Sequence, residues 1–452
     1  MNEFRMISTS GLLGYGFPEA SLKAGLARDP HLIGVDGGST DPGPYYLGSG
    51  KPLNSRVAMK RDISLMLSAA MSQRVPLIIG SCGGAGGEPH LQLVVDIVRE
   101  LAREHGHHFK LAVIHAEQTA DTVAELLKQG AVRPLRNSPD IDETVVRRAS
   151  RIVGMMGAEP YMRALDDGAQ VILGGRTSDP APWAAAAIRA GMPPAPAWYS
   201  GKMLECGATP SIPKGHDCLI VGVRPDGIVA EPLNPIRRCT PLSIANHSLH
   251  ENASPCIHVE PGGILDTTDC TFDALSDRSV LVSGMRWEKQ PYTVKLEGTE
   301  LVGYRAMTIC GTRDPMLIGR FGSFIEQVRQ VVAEKVGGFG LHEDQYQLAF
   351  RVYGKDGVMG TSEPVRDIRS HELGILVEAL ADTQEVANAV LAFARVSLLH
   401  TDFPGRLCRE GNMAFPFSPS DIELQPLYRF SIFHTAAIDD PLSLFPIEYE
   451  DV

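Results

Sequence analysis

Residues 75–89 read Val-Pro-Leu-Ile-Ile-Gly-Ser-Cys-Gly-Gly-Ala-Gly-Gly-Glu-Pro: a short apolar run, five glycines within eight positions, and then a helical pattern over 91–105. Glycines between a strand and a helix let the backbone come close to a ligand and aim its N–H groups at it. The helix N-terminus behind them adds partial positive charge, which favours a phosphate or carboxylate. Two more loops of this kind follow apolar runs, Gly-Val-Asp-Gly-Gly-Ser-Thr-Asp-Pro-Gly-Pro at 34–44 and Gly-Gly-Arg-Thr-Ser-Asp-Pro-Ala-Pro at 174–182. Three such loops in one chain predict an α/β sheet whose strand ends share one anion-binding cleft. The loops at 37–45 and 174–183 also resemble each other. A duplicated half-domain would set Asp41 and Asp179 on either side of that cleft; the alternative is a chance likeness of two turns rich in glycine and proline.

The first 200 residues alternate strand and helix. Strands are predicted at 31–35, 77–80, 110–115 and 170–173, with a strand-like piece at 131–135. Helices are predicted at 55–73, 91–105, 120–129, 143–153, 160–167 and 183–190. This alternation implies right-handed crossovers and a Rossmann-like parallel sheet with helices on its faces. Ligands bind such sheets beyond the carboxyl ends of the strands, where the three glycine loops lie. Residues 208–302 change character, with strand-like pieces such as 218–223 and 279–283 between turns, and read as a β-rich connector or insertion. From 303 the order is strand, helix, strand, strand, helix, strand, at 304–310, 316–335, 345–353, 372–381, 384–401 and 427–435. That is the ferredoxin-like order of an α+β domain. The expected organisation is therefore 1–207, 208–302 and 303–452.

A length of 452 residues allows two or three cores. The net charge of −12 argues against nucleic acid or an anionic membrane as partner. A small anionic substrate stays open, because backbone amides and an arginine or two can oppose the global charge locally. Residues 1–13 show no basic segment followed by a long apolar run, so no secretion signal is expected. No run approaches about 18 apolar residues, so no membrane span is expected. Eight scattered cysteines without a Cys-x-x-Cys pair fit reduced thiols in a cytoplasm. Sheet edges in the ferredoxin-like region predict a homo-oligomer.

Several side chains at these loops could carry chemistry. Glu88 closes the main glycine loop and is placed to act as a general base; the alternative is a carboxylate stabilised by the helix start. His115 ends a strand and is an acid/base candidate, unless it is merely satisfied by backbone groups. Asp41 and Asp179 complete the catalytic candidates. Ser81, Gly83, Gly84, Gly86, Gly87, Arg176 and Ser178 are the expected substrate-binding set. Arg176 could grip a carboxylate in bidentate fashion or brace its own loop through Asp179. Cys206 would need a nearby base or positive charge to act as a nucleophile, and such a cysteine is more often a small buried residue. Asp36, Asp41, Asp179 and Glu88 could form an oxygen-rich site for Mg²⁺ or Mn²⁺. No metal-ligand spacing supports that set, so no residue is assigned as a ligand. A divalent metal, or CoA as part of the substrate, is the cofactor expectation. The main loop lacks a Gly-Lys-Ser/Thr end, which argues against ATP hydrolysis; it also departs in register from Gly-x-Gly-x-x-Gly, which leaves NAD binding a minor alternative.

Further motifs extend along the chain: Glu205-Cys206-Gly207, Asn246-His247-Ser248-Leu249-His250-Glu251, Glu260-Pro261-Gly262-Gly263, and Tyr292-Thr293-Val294-Lys295-Leu296-Glu297-Gly298 through Gly303-Tyr304-Arg305. Together with Gly83-Gly84, Glu88-Pro89 and Gly174–Asp179, they make the chain resemble the acyclic terpene utilization (AtuA) family over nearly its whole length. The resemblance implies catabolism of acyclic terpenes and other branched or multiply carboxylated acids, often as acyl-CoA thioesters. It also implies that the carboxyl-terminal part is the ferredoxin-like domain accompanying that family. The expected activity is that of a hydratase or dehydratase on a carboxylic acid or acyl-CoA, with a hydrolase or isomerase on the same class as an alternative. The competing class is a non-catalytic ligand-binding or assembly subunit.

Overall fold

A computed structural model describes residues 3–250 and 253–452, so Glu251 of the 246–251 motif lies outside the described residues. The fold is mixed α/β, in two compact units: Met1–Glu300 with Phe430–Val452, and Leu301–Arg429.

The first unit is built on a ten-stranded sheet. Its centre is parallel, in the order Phe4–Ser8, Leu32–Asp36, Leu77–Gly80, Val171–Gly174, Lys110–Ile114. Strands buried on both faces must be apolar throughout, which is why these segments read as continuous hydrophobic runs. Alternation then divides their side chains. Met6, Leu32, Ile78, Ala112 and Ile172 enter one core, while Ile7, Ile33, Leu77, Leu111 and Val171 enter the other. Helices Arg56–Gln73 and Glu88–His105 supply Ile63, Met66, Val94 and Val98 to the second core. Helices Glu159–Asp166, Ala181–Arg189 and Pro194–Leu204 supply Tyr161, Trp183 and Met203 to the first. All five parallel strands finish at one edge, at Ser8, Asp36, Gly80, Gly174 and Ile114.

Antiparallel strands flank this centre. Leu219–Arg224 pairs with Phe4–Ser8, followed outward by Gly227–Pro232, Val280–Ser283 and Thr271–Ala274. On the opposite side Ile447–Asp451 pairs with Lys110–Ile114. The compact units thus differ from the expected boundaries: residues between 208 and 300 extend the large sheet, and 430–452 return to it.

In the second unit, Tyr346–Tyr353 pairs with Leu373–Ala381, which pairs antiparallel with Tyr304 to Thr312 of the long strand Thr293–Thr312. Leu373, Ile375, Val377 and Ala379 are buried against helices Phe321–Gly337 and Gln384–His400. From the latter come Val390, Leu391, Ala394 and Leu398, a stripe at helical spacing.

One expected element differs from the structure. The helix expected over 143–153 stops at Arg148, and Arg151–Met155 is a strand antiparallel to Lys295 to Thr299. The ladder partner lies far along the chain, so no local pattern announces it. Phe4–Ser8 is too short and mixed to signal a central strand, yet it holds the middle of the sheet. Pro194–Leu204 is helical despite its prolines, because Pro194 and Pro196 fall in the first turn, where the N–H groups have no intrahelical partner anyway.

Candidate active site

The three glycine loops are seated against one another through backbone. Gly37 N–H donates to Gly80 at 2.8 Å, Ser81 N–H to Gly175 at 3.0 Å and Cys82 N–H to Gly174 at 2.9 Å. A Cβ on Gly37 would lie 2.3 Å from the Ser81 carbonyl oxygen, and one on Gly86 would lie 2.3 Å from the Arg176 nitrogen. Only glycine permits that approach. Residues 80–87 are buried throughout. Gly83 packs against His90, Gly84 against Leu53 and Gly38, and Gly87 faces Glu117 and His90. Ser81 accepts from the Thr177 N–H at 3.1 Å and from Arg176 Nη1 at 3.2 Å.

Arg176 is the hub between these loops. Its Nε donates to Glu297 Oε2 at 2.7 Å; its Nη1 donates to the Thr177 carbonyl at 2.7 Å and to Asp179 Oδ1 at 3.2 Å. Glu297 also accepts from Thr40 Oγ1 at 2.8 Å and pairs with Lys295 Nζ at 2.8 Å. Burial pushes the Glu297 carboxyl up, but the Arg176 and Lys295 charges outweigh it and hold it down to about 2. The Glu297 carboxylate thus ties loop 174–182 to loop 36–44, through its ion pair with Arg176 and the hydrogen bond from Thr40.

Beside this brace lies a cleft of about 230 Å³ at the carboxyl edge of the sheet, lined by Gly11, Leu12 and Tyr15, by Asp36, Gly38, Ser39, Asp41 and Pro42, by Leu53, and by Asp179, Glu205 and Cys206. Carboxyl groups dominate it. Burial raises Asp36 well above the ordinary range, and repulsion from Asp179 adds to that. Burial likewise raises Asp179, against the opposing pull of Arg176. Burial takes Glu205 to about 8, although Lys202 Nζ sits 2.7 Å from its Oε1. Glu260, hydrogen-bonded by Ser178 Oγ, is pushed up to about 7, again mainly by burial. Glu205 and Glu260, at about 8 and about 7, can exchange protons near neutrality.

The sequence candidates therefore fall into two places. Asp41 and Asp179 share the cleft, with Arg176, Ser178 and Ser81 behind Asp179. Glu88 and His115 form a pair of their own, Oε2 to Nδ1 at 2.9 Å, and line no part of that cleft. The Glu88 N–H donates to Glu117 Oε2 at 2.6 Å, and Glu117 is ion-paired with Arg151 at 2.8 Å. The set Asp36, Asp41, Asp179 and Glu88 does not gather around one point. Among the described residues, the group whose donor atoms lie close enough together for one ion is Glu205, Cys206 and His247.

Glu205, Glu260 and Glu297 were not expected to be site residues. Each stands in a motif noted in the sequence; Glu205 and Glu297 are at most 4 % exposed, and Glu260 is partly buried. An acidic residue inside a short motif of glycine, proline and apolar neighbours was the available signal.

The sequence model of the family described as "Acyclic terpene utilisation family protein AtuA" matches residues 58–211 and 220–414. Arg176, Asp179, Glu205, Glu260 and Glu297 fall within the match, whereas Asp36 and Asp41 precede it. No curated protein and no solved structure matches the chain.

Proposed function

The chain belongs to the acyclic terpene utilisation family AtuA, and from that premise we propose that it is a catabolic enzyme adding water to, or eliminating it from, the acyl chain of a CoA thioester. The observation that carries this reading is the pair Asp36 and Asp179, two carboxyl groups facing one cleft with their proton affinities raised. Water elimination needs one base and one acid. The ionised carboxylate takes the α-proton of a 3-hydroxyacyl thioester, the C–O bond breaks, and the protonated carboxyl gives its proton to the departing hydroxyl. Water and the enoyl thioester leave, and hydration runs the same steps backwards with the roles exchanged. Ser39, Asp41 and Glu205 complete the polar lining.

The charge balance favours a neutral acyl group over a free carboxylate. Arg176 is engaged by Glu297 and Asp179, and Lys202 by Glu205. The cleft is smaller than the roughly 300–1,000 Å³ of drug-sized ligand pockets, which suits a short acyl chain with the CoA phosphates outside. We also read the second unit as ferredoxin-like from its element order. We also propose a cytoplasmic location, which eight scattered cysteines without a Cys-x-x-Cys pair support. Among the described residues no helix is long and apolar enough to cross a membrane.

A thermal-shift screen tests the reading, since a ligand that binds only the folded chain stabilises it by mass action. Short branched 3-hydroxyacyl- and enoyl-CoA thioesters should raise the melting temperature more than CoA alone or free di- and tricarboxylates. The best hit should show interconversion of the enoyl and hydroxyacyl thioesters by absorbance. Stabilisation by free polycarboxylates alone would refute the substrate class. Thioester binding without turnover would make this a ligand-binding subunit.

A further inference from the structure

We propose that Glu205, Cys206 and His247 form a binding site for one zinc ion, with its fourth position left to water or another ligand. Their donor atoms, a carboxylate oxygen, a thiol sulfur and an imidazole nitrogen, all lie within 4.8 Å of one another. A tetrahedral zinc with bonds of about 2.0–2.3 Å sets its ligands ~3.3–3.8 Å apart. Rotations that close the group by about 1 Å therefore suffice. Three protein ligands and one open position is the arrangement of zinc sites that work on substrates rather than merely hold a fold. The mixed sulfur, nitrogen and oxygen set suits zinc better than the hard cations magnesium or calcium.

The histidine carries the argument. His247 is only 4 % exposed, and its Nε2 is buried without a hydrogen-bond partner. In the neutral tautomer protonated at Nδ1, this unpartnered Nε2 has a lone pair to offer a cation. A buried acceptor left unmet is unfavourable, and a cation there removes that cost.

Local structure brings the three donors together. Glu205 and Cys206 directly follow helix Pro194–Leu204, and His247 lies in the last turn of helix Pro241–Ser248. Thr240 caps the second helix through a reciprocal bond with Ser243, which fixes where it begins. Glu205 and Cys206 line the cleft of about 230 Å³, whereas His247 lines a neighbouring one of about 660 Å³ together with Lys214, Asn246 and His250. The site therefore stands at the wall between two clefts. Lys202 Nζ holds one oxygen of Glu205 and leaves the other for the ion. Binding converts the Cys206 thiol to a zinc thiolate and releases its proton to solvent. The assignment stands on this geometry and does not depend on which reaction the neighbouring cleft performs.

The test uses the full-length protein, stripped with a chelator and titrated with Co²⁺ as a visible stand-in for zinc. One equivalent should bind, giving a thiolate-to-cobalt charge-transfer band and the visible bands of a four-coordinate ion, and Zn²⁺ should displace it. Cys206→Ser should abolish the charge-transfer band. His247→Gln should weaken binding at least tenfold, since loss of even an outer-shell partner costs about 10–100-fold. A measurement on the unaltered chain covers the case of a variant that fails to fold: Zn²⁺ should protect Cys206 from alkylation, read by peptide mass spectrometry. Absence of the charge-transfer band, its survival in folded Cys206→Ser, or alkylation of Cys206 at the same rate with and without zinc would each overturn the assignment.

Discussion

Replacing Glu297 by glutamine keeps the shape of the side chain and removes one buried charge. What remains is Arg176, 3 % exposed, without its closest partner at 2.7 Å. Two routes give the size of the loss. A carboxyl held at about 2 instead of the ordinary 4.5 corresponds, at about 1.4 kcal/mol per tenfold, to about 3 kcal/mol. Breaking one partner out of a buried ion pair costs about 3–5 kcal/mol in general. Asp179 still faces the guanidinium at 3.2 Å, so the lower end, ~3 kcal/mol, is expected. The assay is urea unfolding of both proteins across pH, followed by fluorescence. Because the folded carboxyl titrates lower than the unfolded one, its stabilisation is complete above about pH 4.5 and fades as the pH falls through about 2. The gap between wild type and variant should therefore be constant from pH 8 to pH 5 and narrow below that, within the range where the protein stays folded. Adding Arg176→Met should restore part of the loss, since no orphan charge is then left. A gap below about 1 kcal/mol that does not change with pH would refute the idea that this pair braces the loops.

The remaining expectations concern the cleft and assembly. Asp179→Asn should lower turnover by about 10²–10⁴ once a substrate is in hand, while Glu88→Gln should leave it within about tenfold, because Glu88 and His115 pair outside the cleft; steady-state kinetics on both variants decide between the two places. Glu260 shows the opposite linkage to Glu297. Its folded value of about 7 lies above the unfolded 4.5, so the fold binds the extra proton between those values and wild type should lose stability relative to Glu260→Gln as pH rises through that window; parallel unfolding curves from pH 5 to 8 would count against it. Tyr346–Tyr353 is an edge strand paired on one side only, so light scattering at micromolar concentration should report at least a dimer, and a monomer would rule this out.

The sheet centre was legible where strands are buried on both faces. Leu77–Gly80 and Val171–Gly174 announce themselves as unbroken apolar runs that stop at glycine, and the second unit's strand and helix order follows from alternation against helical spacing. Arg151–Met155 was not legible, since its state depends on a partner strand beginning at Thr293. The site divides in the same way. Asp41, Arg176 and Asp179 stand in loops that advertise themselves by glycine and proline. Their partners do not: Glu297 is 121 residues beyond the arginine it binds, and Glu260 is 82 beyond Ser178. A lone acid in an apolar motif looks alike whether it ends buried or solvated, and only the folded topology separates the two. The glycines of 80–87 suggest a cradle for a ligand from sequence alone; in the fold Gly80 and Gly86 face loop 174–182, while Gly83, Gly84 and Gly87 face His90, Leu53 and Glu117.

The return of residues 430–452 to the first unit has a consequence for synthesis. Domains fold as units while the chain emerges from its amino end. Here the larger unit lacks one border of its sheet until Ile447–Asp451 has been made, after the whole of Leu301–Arg429. Until then Lys110–Ile114 offers a bare row of backbone donors and acceptors, the kind of border that recruits a wrong strand. The smaller unit, contiguous in sequence, has all of its own residues at hand earlier. The nascent protein therefore passes through a stage in which the late segment is complete before the early one, and a chain cut short before Ile447 should be held by chaperones or aggregate rather than accumulate as a soluble truncated protein.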